Sequence, residues 1–220
     1  RRVILPFEFD SILIRDDDLI FAKKGERGLI FDTKGMQLYP EYSYVGERDI
    51  NGFRNAQIPN GLTGLISNDG KVVLPPLFGY ISIFDNQKHY IVHYKGRAGV
   101  IDLTGHQLFP ETFFSISKLS EDGLAVVQVT RGAYGVIDNK GGWVIKPGTF
   151  SEIQDFSSDG LAAAKVGDKW GFIDRAGRLV VPAMYDNDLW PLPFNDFGLT
   201  PMRLGAKWGF IDRTGNFVVN

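Results

Sequence analysis

Apolar residues along this chain fall in short runs separated by glycine-bearing turns, and the runs recur. The recurring pieces are GLIFDTKG (28–35), GLISNDG (64–70), GVIDLTG (99–105), GVIDNKG (135–141), GFIDRAG (171–177) and GFIDRTG (209–215). Their closing glycines, Gly35, Gly70, Gly105, Gly141, Gly177 and Gly215, stand 35, 35, 36, 36 and 38 residues apart. The chain therefore divides into six units of about 36 residues.

Each turn is followed by an apolar run and then a proline: Pro6, Pro40, Pro75, Pro110, Pro147 and Pro182. Three residues beyond the proline stand Phe9, Phe78, Phe113, Phe150 and Tyr185, with Tyr42 displaced by one place. A third apolar segment precedes the turn, as in GLAVVQV (123–129), GLAAAKV (160–166) and GLTPMRL (198–204). The pattern predicts three or four short strands per unit. The turn residues follow from local chemistry, because Asp at the first position accepts a backbone hydrogen bond and Gly at the fourth tolerates positive φ. Asp32, Asp102, Asp138, Asp174 and Asp212 fit this role, with Ser67 in the second copy, so these acids read as turn formers and not as a catalytic set.

The chain opens on VILPFEF (3–9), the second half of a unit, and ends on KWGFIDRTGNFVV (207–219), the first half of one. Together they complete a single unit. The expected fold is all-β: a closed β-propeller of six short blades in a single domain, residues 1–220, whose N- and C-terminal segments complete one blade. The alternative is an open β-solenoid, which needs atypical polar terminal caps.

Composition narrows the function classes. Lys+Arg 24 against Asp+Glu 26 gives a net charge of -2, which argues against bulk binding of nucleic acid. Cys 0 removes disulfides, thiol catalysis and cysteine zinc sites. There is no apolar run of about 18 residues to insert in a membrane. The first residue is Arg1, so removal of a targeting segment stays open, as does the compartment: cytoplasm, periplasm or cell envelope.

KWGFIDR occurs intact twice, at 169–175 and 207–213, each time followed by a glycine turn and an apolar run. The Trp position holds Trp170 and Trp208, then Tyr134, Ala98 and Thr63 in earlier units. The chain thus resembles the WG-repeat (KWG-repeat) family of bacterial proteins. The resemblance covers the whole chain, strongly in the last three units and weakly in the first two. It implies a non-catalytic interaction module with no cofactor and a protein partner. In its most specific form it implies an immunity or accessory protein that binds a bacterial toxin.

Catalytic signatures fail: there is no G-x-S-x-G, no H-E-x-x-H, no phosphate loop and no G-x-G-x-x-G. His89 and His93 are four apart, but HYIVHY reads as a strand, on which such residues lie about 13 Å apart. The consecutive Asp16, Asp17 and Asp18 lack the alternation of a calcium loop and read as a solvated turn. No opposed carboxylate pair stands out for a glycosidase-like site.

Two features point to binding. In the strand before each turn, one matched position holds Lys23, Gln57, His93, Gln128, Lys165 and Arg203, a polar and largely basic set with no acid. In a ring, this set suits an acidic partner loop or an anion at one channel mouth; ordinary alternation on a wet face also accounts for its polarity. The longest spacing lies in YDNDLWPLPFNDF (185–197), where Trp190, Phe194 and Phe197 accompany Pro191 and Pro193. These aromatics suit an interface or fold back over the blade edge; Trp190 and Phe194 are taken as partner-binding candidates. GERDINGFRN (46–55) departs more weakly, adding Arg48 and Arg54. The reading is a non-enzymatic bacterial protein-binding module. The alternatives are a cell-envelope carbohydrate-binding module and a hydrolase with its site at the channel mouth.

Overall fold

The structure is a computed structural model, and it describes residues 5–6, 8–14, 20–25, 27–67, 70–109, 112–187 and 190–219. Every regular element among these residues is a β-strand. The acidic run at residues 16–18 lies outside them.

Arg1–Pro110 and Glu111–Asn220 are two compact units. The first carries three sheets. They are β1 (Ser11–Ile14), β2 (Ile20–Lys24), β3 (Arg27–Phe31) and β4 (Gln37–Tyr42); then β5 (Tyr44–Arg48), β6 (Arg54–Gln57), β7 (Thr63–Ile66) and β8 (Val72–Phe78); then β9 (Tyr80–Ile83), β10 (Tyr90–Tyr94) and β11 (Arg97–Ile101). The second unit carries three more. They are β12 (Ser115–Ile116), β13 (Leu124–Thr130), β14 (Ala133–Asp138) and β15 (Trp143–Phe150); then β16 (Glu152–Ile153), β17 (Ala162–Val166), β18 (Lys169–Ile173) and β19 (Leu179–Tyr185); then β20 (Leu199–Leu204), β21 (Lys207–Asp212) and β22 (Phe217–Val219). Each sheet is an antiparallel meander of sequence neighbours, the form of a propeller blade. Among the described residues the six sequence repeats are thus six sheets of three or four strands. Among the described residues no sheet joins strands from the two ends of the chain.

The turn chemistry holds as the sequence predicts. The amides of Gly35, Gly105, Gly141, Gly177 and Gly215 donate to the carbonyls of Asp32, Asp102, Asp138, Asp174 and Asp212 at 2.9–3.1 Å, and Gly70 donates to Ser67. Each Asp also accepts at Oδ1 from the amides two and four residues on, as Asp138 does from Lys140 and Gly142, both at 2.8 Å. These bonds favour the carboxylate. The Thr104 hydroxyl lowers the pKa of Asp102, the Gly142 amide that of Asp138 and the Thr214 hydroxyl that of Asp212.

A second turn series, not singled out in the sequence, precedes β6, β10, β13, β17 and β20. Gly52, Gly123, Gly160 and Gly198 donate to the carbonyls of Asp49, Ser120, Ser157 and Asn195. In the third sheet Asp85 opens the turn, its Oδ1 accepting from the amides of Gln87 and His89, and Lys88 adopts φ 67 where the others have glycine.

The Gly of the Trp-Gly pair and the downstream proline have one joint explanation. Trp170 lies opposite Tyr185 and Phe172 opposite Val181, so β19 carries extra residues between these pairs and bulges at Pro182. The bulge passes directly over Gly171, where a Cβ would sit 2.5 Å from the Val181 carbonyl oxygen and 2.8 Å from the Ala183 nitrogen. Gly64 and Gly135 are crossed in the same way by β8 and β15. The bulge delivers the post-proline aromatic opposite the Trp position: Thr63 pairs with Phe78, Tyr134 with Phe150 and Gly28 with Tyr42. Between Ile30 and Gly28 the partner strand advances only from Tyr39 to Tyr42, a shorter bulge, which accounts for the displaced Tyr42.

The apolar faces close between successive sheets inside each unit. In the first, Leu65 and Leu74 meet Ile81, Tyr90, Val92 and Ile101. In the second, Val136, Ile145 and Phe150 meet Ile153, Ala162, Ala164 and Ile173, and Trp170, Phe172, Val181 and Tyr185 meet Phe194, Met202 and Ile211. The Arg of the KWGFIDR motif adds a polar clamp. Arg175 Nε donates to Asp122 Oδ2 at 2.8 Å and Arg213 Nε to Asp159 Oδ2 at 3.0 Å, in each case reaching the first turn of the preceding sheet.

Candidate functional site

The six polar positions of the sequence pattern are structurally equivalent. Each lies opposite the Trp position of the next strand: Lys23 with Gly28, Gln57 with Thr63, His93 with Ala98, Gln128 with Tyr134, Lys165 with Trp170 and Arg203 with Trp208. Each also accepts one backbone bond at its carbonyl, from Asp10, Ser43, Gly79, Phe114, Ser151 and Asp186 in turn. The side chains, however, have local partners. Gln57 Nε2 donates to the Gly61 carbonyl at 3.0 Å, the His93 ring packs on Tyr80, and Ser115 Oγ donates to Oε1 of the buried Gln128 at 3.4 Å. Lys165 Nζ lies 5.4 Å from the centre of the Trp170 ring, and Arg203 Nε donates to the Asp186 carbonyl at 2.9 Å. Lys23 is exposed.

His89 and His93 do not converge. His89 Nδ1 is 2.7 Å from Asp85 Oδ2 within its own turn. Among the described residues no group of three or more His, Asp or Glu is placed to hold a metal ion. Arg54 is buried and its Nη1 donates to the Gly46 carbonyl at 2.8 Å; it fastens the β5–β6 edge, while Arg48 is exposed.

The loop between β19 and β20 separates its aromatics into two kinds. Phe194, a sequence candidate for contact with a partner, is turned inward. Its ring centre is 4.6 Å from that of Phe172, and the Arg213 guanidinium lies 5.8 Å from it on top. Burial of a large apolar ring in the core between two sheets outweighs any outward placement, so Phe194 is an anchor. Asn195 Oδ1 accepts from the amides of Phe197 and Leu199, and Thr200 Oγ1 donates to the Leu192 carbonyl at 2.8 Å. Asn187 Oδ1 accepts from the Arg203 amide, and Asp186 pairs with Lys169 and accepts from the Gly205 amide. On this fastened loop Trp190, Leu192 and Phe197 face water, at 69%, 61% and 87% exposure. Residues 188 and 189 lie outside the described part of the loop.

Trp190 also borders a cleft of about 410 Å³ in the second unit, with Ser115, Ile116, Ser117, Val126, Tyr134, Glu152, Ile153, Gln154 and Asp155. Tyr134 occupies the Trp position of its repeat, is only half-buried and lines the cleft; burial, and then the Glu152 charge, raise its pKa. Sequence reasoning missed this cleft. Its only sequence signal is the exchange of Trp for Tyr at position 134, beside an acid, Glu152, at the start of the next sheet.

The WG containing repeat family matches this chain over residues 64–92, 134–170, 170–208 and 208–220. No curated protein matches it in sequence. Among solved structures, a eukaryotic initiation factor is similar with a TM-score of 0.53 and 11% identity, over 96% of this chain and 66% of that one. Kluyveromyces lactis Hsv2 gives a TM-score of 0.48 at 9% identity, over 97% and 77%. BamB from Moraxella catarrhalis gives 0.46 at 10% identity, over 94% and 72%. At 11% identity the likeness to the initiation factor is one of fold alone. The matched repeats span more than half of the residues, and their Trp-Gly, Asp-turn and proline-bulge elements are those that build the sheets: the chain belongs to the WG-repeat family.

Proposed function

We propose that this chain is a non-enzymatic protein-binding module and that the loop of residues 190–198 is its contact face. The observation that carries this reading is the exposure of Trp190, Leu192 and Phe197 on a loop fastened by Phe194, Asn195 and Thr200. Large apolar groups on a rigid support bind with little loss of conformational entropy, and aromatic anchors dominate interface energetics. The conspicuous acids serve turns, which supports a module without catalysis. In its most specific form the partner is a bacterial toxin and this chain its immunity or accessory protein.

The same reading takes residues 1–220 as one domain, its six sheets the blades of a closed propeller, with the N- and C-terminal segments completing one blade. One observation supports it. Phe9 packs on Ile20, Ala22 and Phe31 of the first sheet, as Phe150 packs on Ala162 and Ile173 of the sheet following its own.

The test is affinity capture with the full chain as bait, read by mass spectrometry, beside the variant Trp190→Ala. The expected result is one stoichiometric protein partner, lost with Trp190→Ala at unchanged melting temperature. A toxin-like partner establishes the specific form. Capture that survives Trp190→Ala removes the loop from the contact face. Clear affinity in a glycan array with no protein captured replaces the reading with carbohydrate binding.

A further inference from the structure

The cleft beside Trp190 has a chemistry of its own. Its floor is apolar, from Ile116, Val126 and Ile153, and two aromatic side chains, Tyr134 and Trp190, border it. Glu152 and Asp155 supply two carboxylates, and no lysine or arginine is among its lining residues. Among the described residues neither Glu152 nor Asp155 forms an ion pair. Lys165 is the cation best placed to neutralise Glu152, its direct partner across the β16–β17 ladder, yet its ammonium sits over the Trp170 ring instead. The cleft is therefore an acidic recess with aromatic walls that the chain's own cations leave unfilled.

That combination selects one kind of occupant. A planar guanidinium stacks on an indole or phenol face and forks onto a carboxylate, whereas an ammonium does only part of this. Gln154 and Ser115 offer further acceptors around it. We infer that the cleft bounded by Tyr134, Glu152, Asp155 and Trp190 receives an arginine side chain presented by the protein partner. This rests on the protein-binding reading and deepens it: the loop supplies apolar contact, and the cleft beside it reads one basic residue.

The probe is the blocked peptide acetyl-Gly-Arg-Gly-amide, set against its citrulline counterpart, which keeps the shape and removes the charge. Binding to the full chain is followed by amide chemical shifts and by tryptophan fluorescence. Trp190→Phe assigns the fluorescence change to that indole. The arginine peptide is expected to bind at least about tenfold more tightly than the citrulline peptide, and to weaken with added salt. Glu152→Gln and Asp155→Asn are each expected to reduce its affinity about tenfold, with the melting temperature unchanged. Equal affinity for the two peptides overturns the proposal, as does arginine binding indifferent to both substitutions. Tighter binding of a neutral oligosaccharide that competes at the same resonances also overturns it. Full capture of the protein partner by the Glu152→Gln, Asp155→Asn double variant, with loss by Trp190→Ala, refutes the cleft while leaving the protein-binding reading standing.

Discussion

Glycine at position 171 is where one missing side chain decides a repeat. The β19 bulge lies against its α-carbon, with backbone atoms that cannot rotate away. Gly171→Ala is therefore expected to destabilise by about 1–3 kcal/mol, the scale of overpacking. Gly46→Ala, whose added methyl would meet only ordinary contacts at 3.6 Å, is expected to stay within about 0.5 kcal/mol. Chemical denaturation of the two variants measures the difference, and equal losses would show that the bulge gives way. The turn aspartates set a second expectation. Their folded pKa values are lowered, so their stabilisation is fully present above the unfolded carboxylate value of about 3.9 and is lost as pH falls through the folded values. Melting temperature should stay flat from about pH 7 to 5 and drop below about pH 4. In Asp138→Asn, which keeps the accepting oxygen but not the charge, the acid slope should shrink. An unaltered slope assigns acid lability to other groups.

At the scale of elements, the sheet-to-sheet clamp and the loop anchor differ in weight. Asp122 and Arg175 are both more than a third exposed, so a double-mutant cycle should return only about 0.2–1 kcal/mol. Gly160→Ala should cost more, about 1–3 kcal/mol, because the position has φ +81 and Arg175 lies across it. Phe194→Ala removes a buried ring and is expected to lose about 3 kcal/mol, with partner binding impaired through a loosened loop. Trp190→Ala should leave stability within about 0.5 kcal/mol while abolishing capture. Thermal melts beside binding assays separate the two roles. Sequence pattern alone could not separate them, since Trp190 and Phe194 lie in the same proline-stiffened stretch. Their division depends on the spacing of neighbouring sheets, a tertiary quantity. The Asp–Gly turns and the strands were legible because each is fixed by residues within one repeat; the bulge at the proline was not, because it shows only in the register of two paired strands. The cleft was not, because Tyr134, Glu152 and Trp190 come from three separate repeats.

For the molecule as a whole, the proposed closed ring makes the sharpest demand. Removal of residues 1–9 takes away Phe9 and the N-terminal segment proposed to complete one blade, and an unpaired edge invites association. A loss of about 3–5 kcal/mol or aggregation is expected in melting and light-scattering measurements. An unchanged melting temperature refutes closure and favours the open solenoid. The number of sheets followed from the spacing of glycines. Equivalence of the six polar positions also followed, since register copies itself from repeat to repeat. The partner side chains of those positions did not, because each is met by a different neighbour.

The meander order of the sheets also bears on how the protein is made. Every sheet among the described residues pairs strands that are adjacent in sequence, so contact order is low within each repeat. During synthesis each of the first five sheets has all its strands once its own stretch of chain has left the ribosome, and inside each unit the earlier sheet already offers an apolar face to dock against. Growth by one repeat, or loss of one, therefore leaves the remaining sheets with their own hydrogen bonds intact, so such a chain can change length during evolution without inventing a new fold.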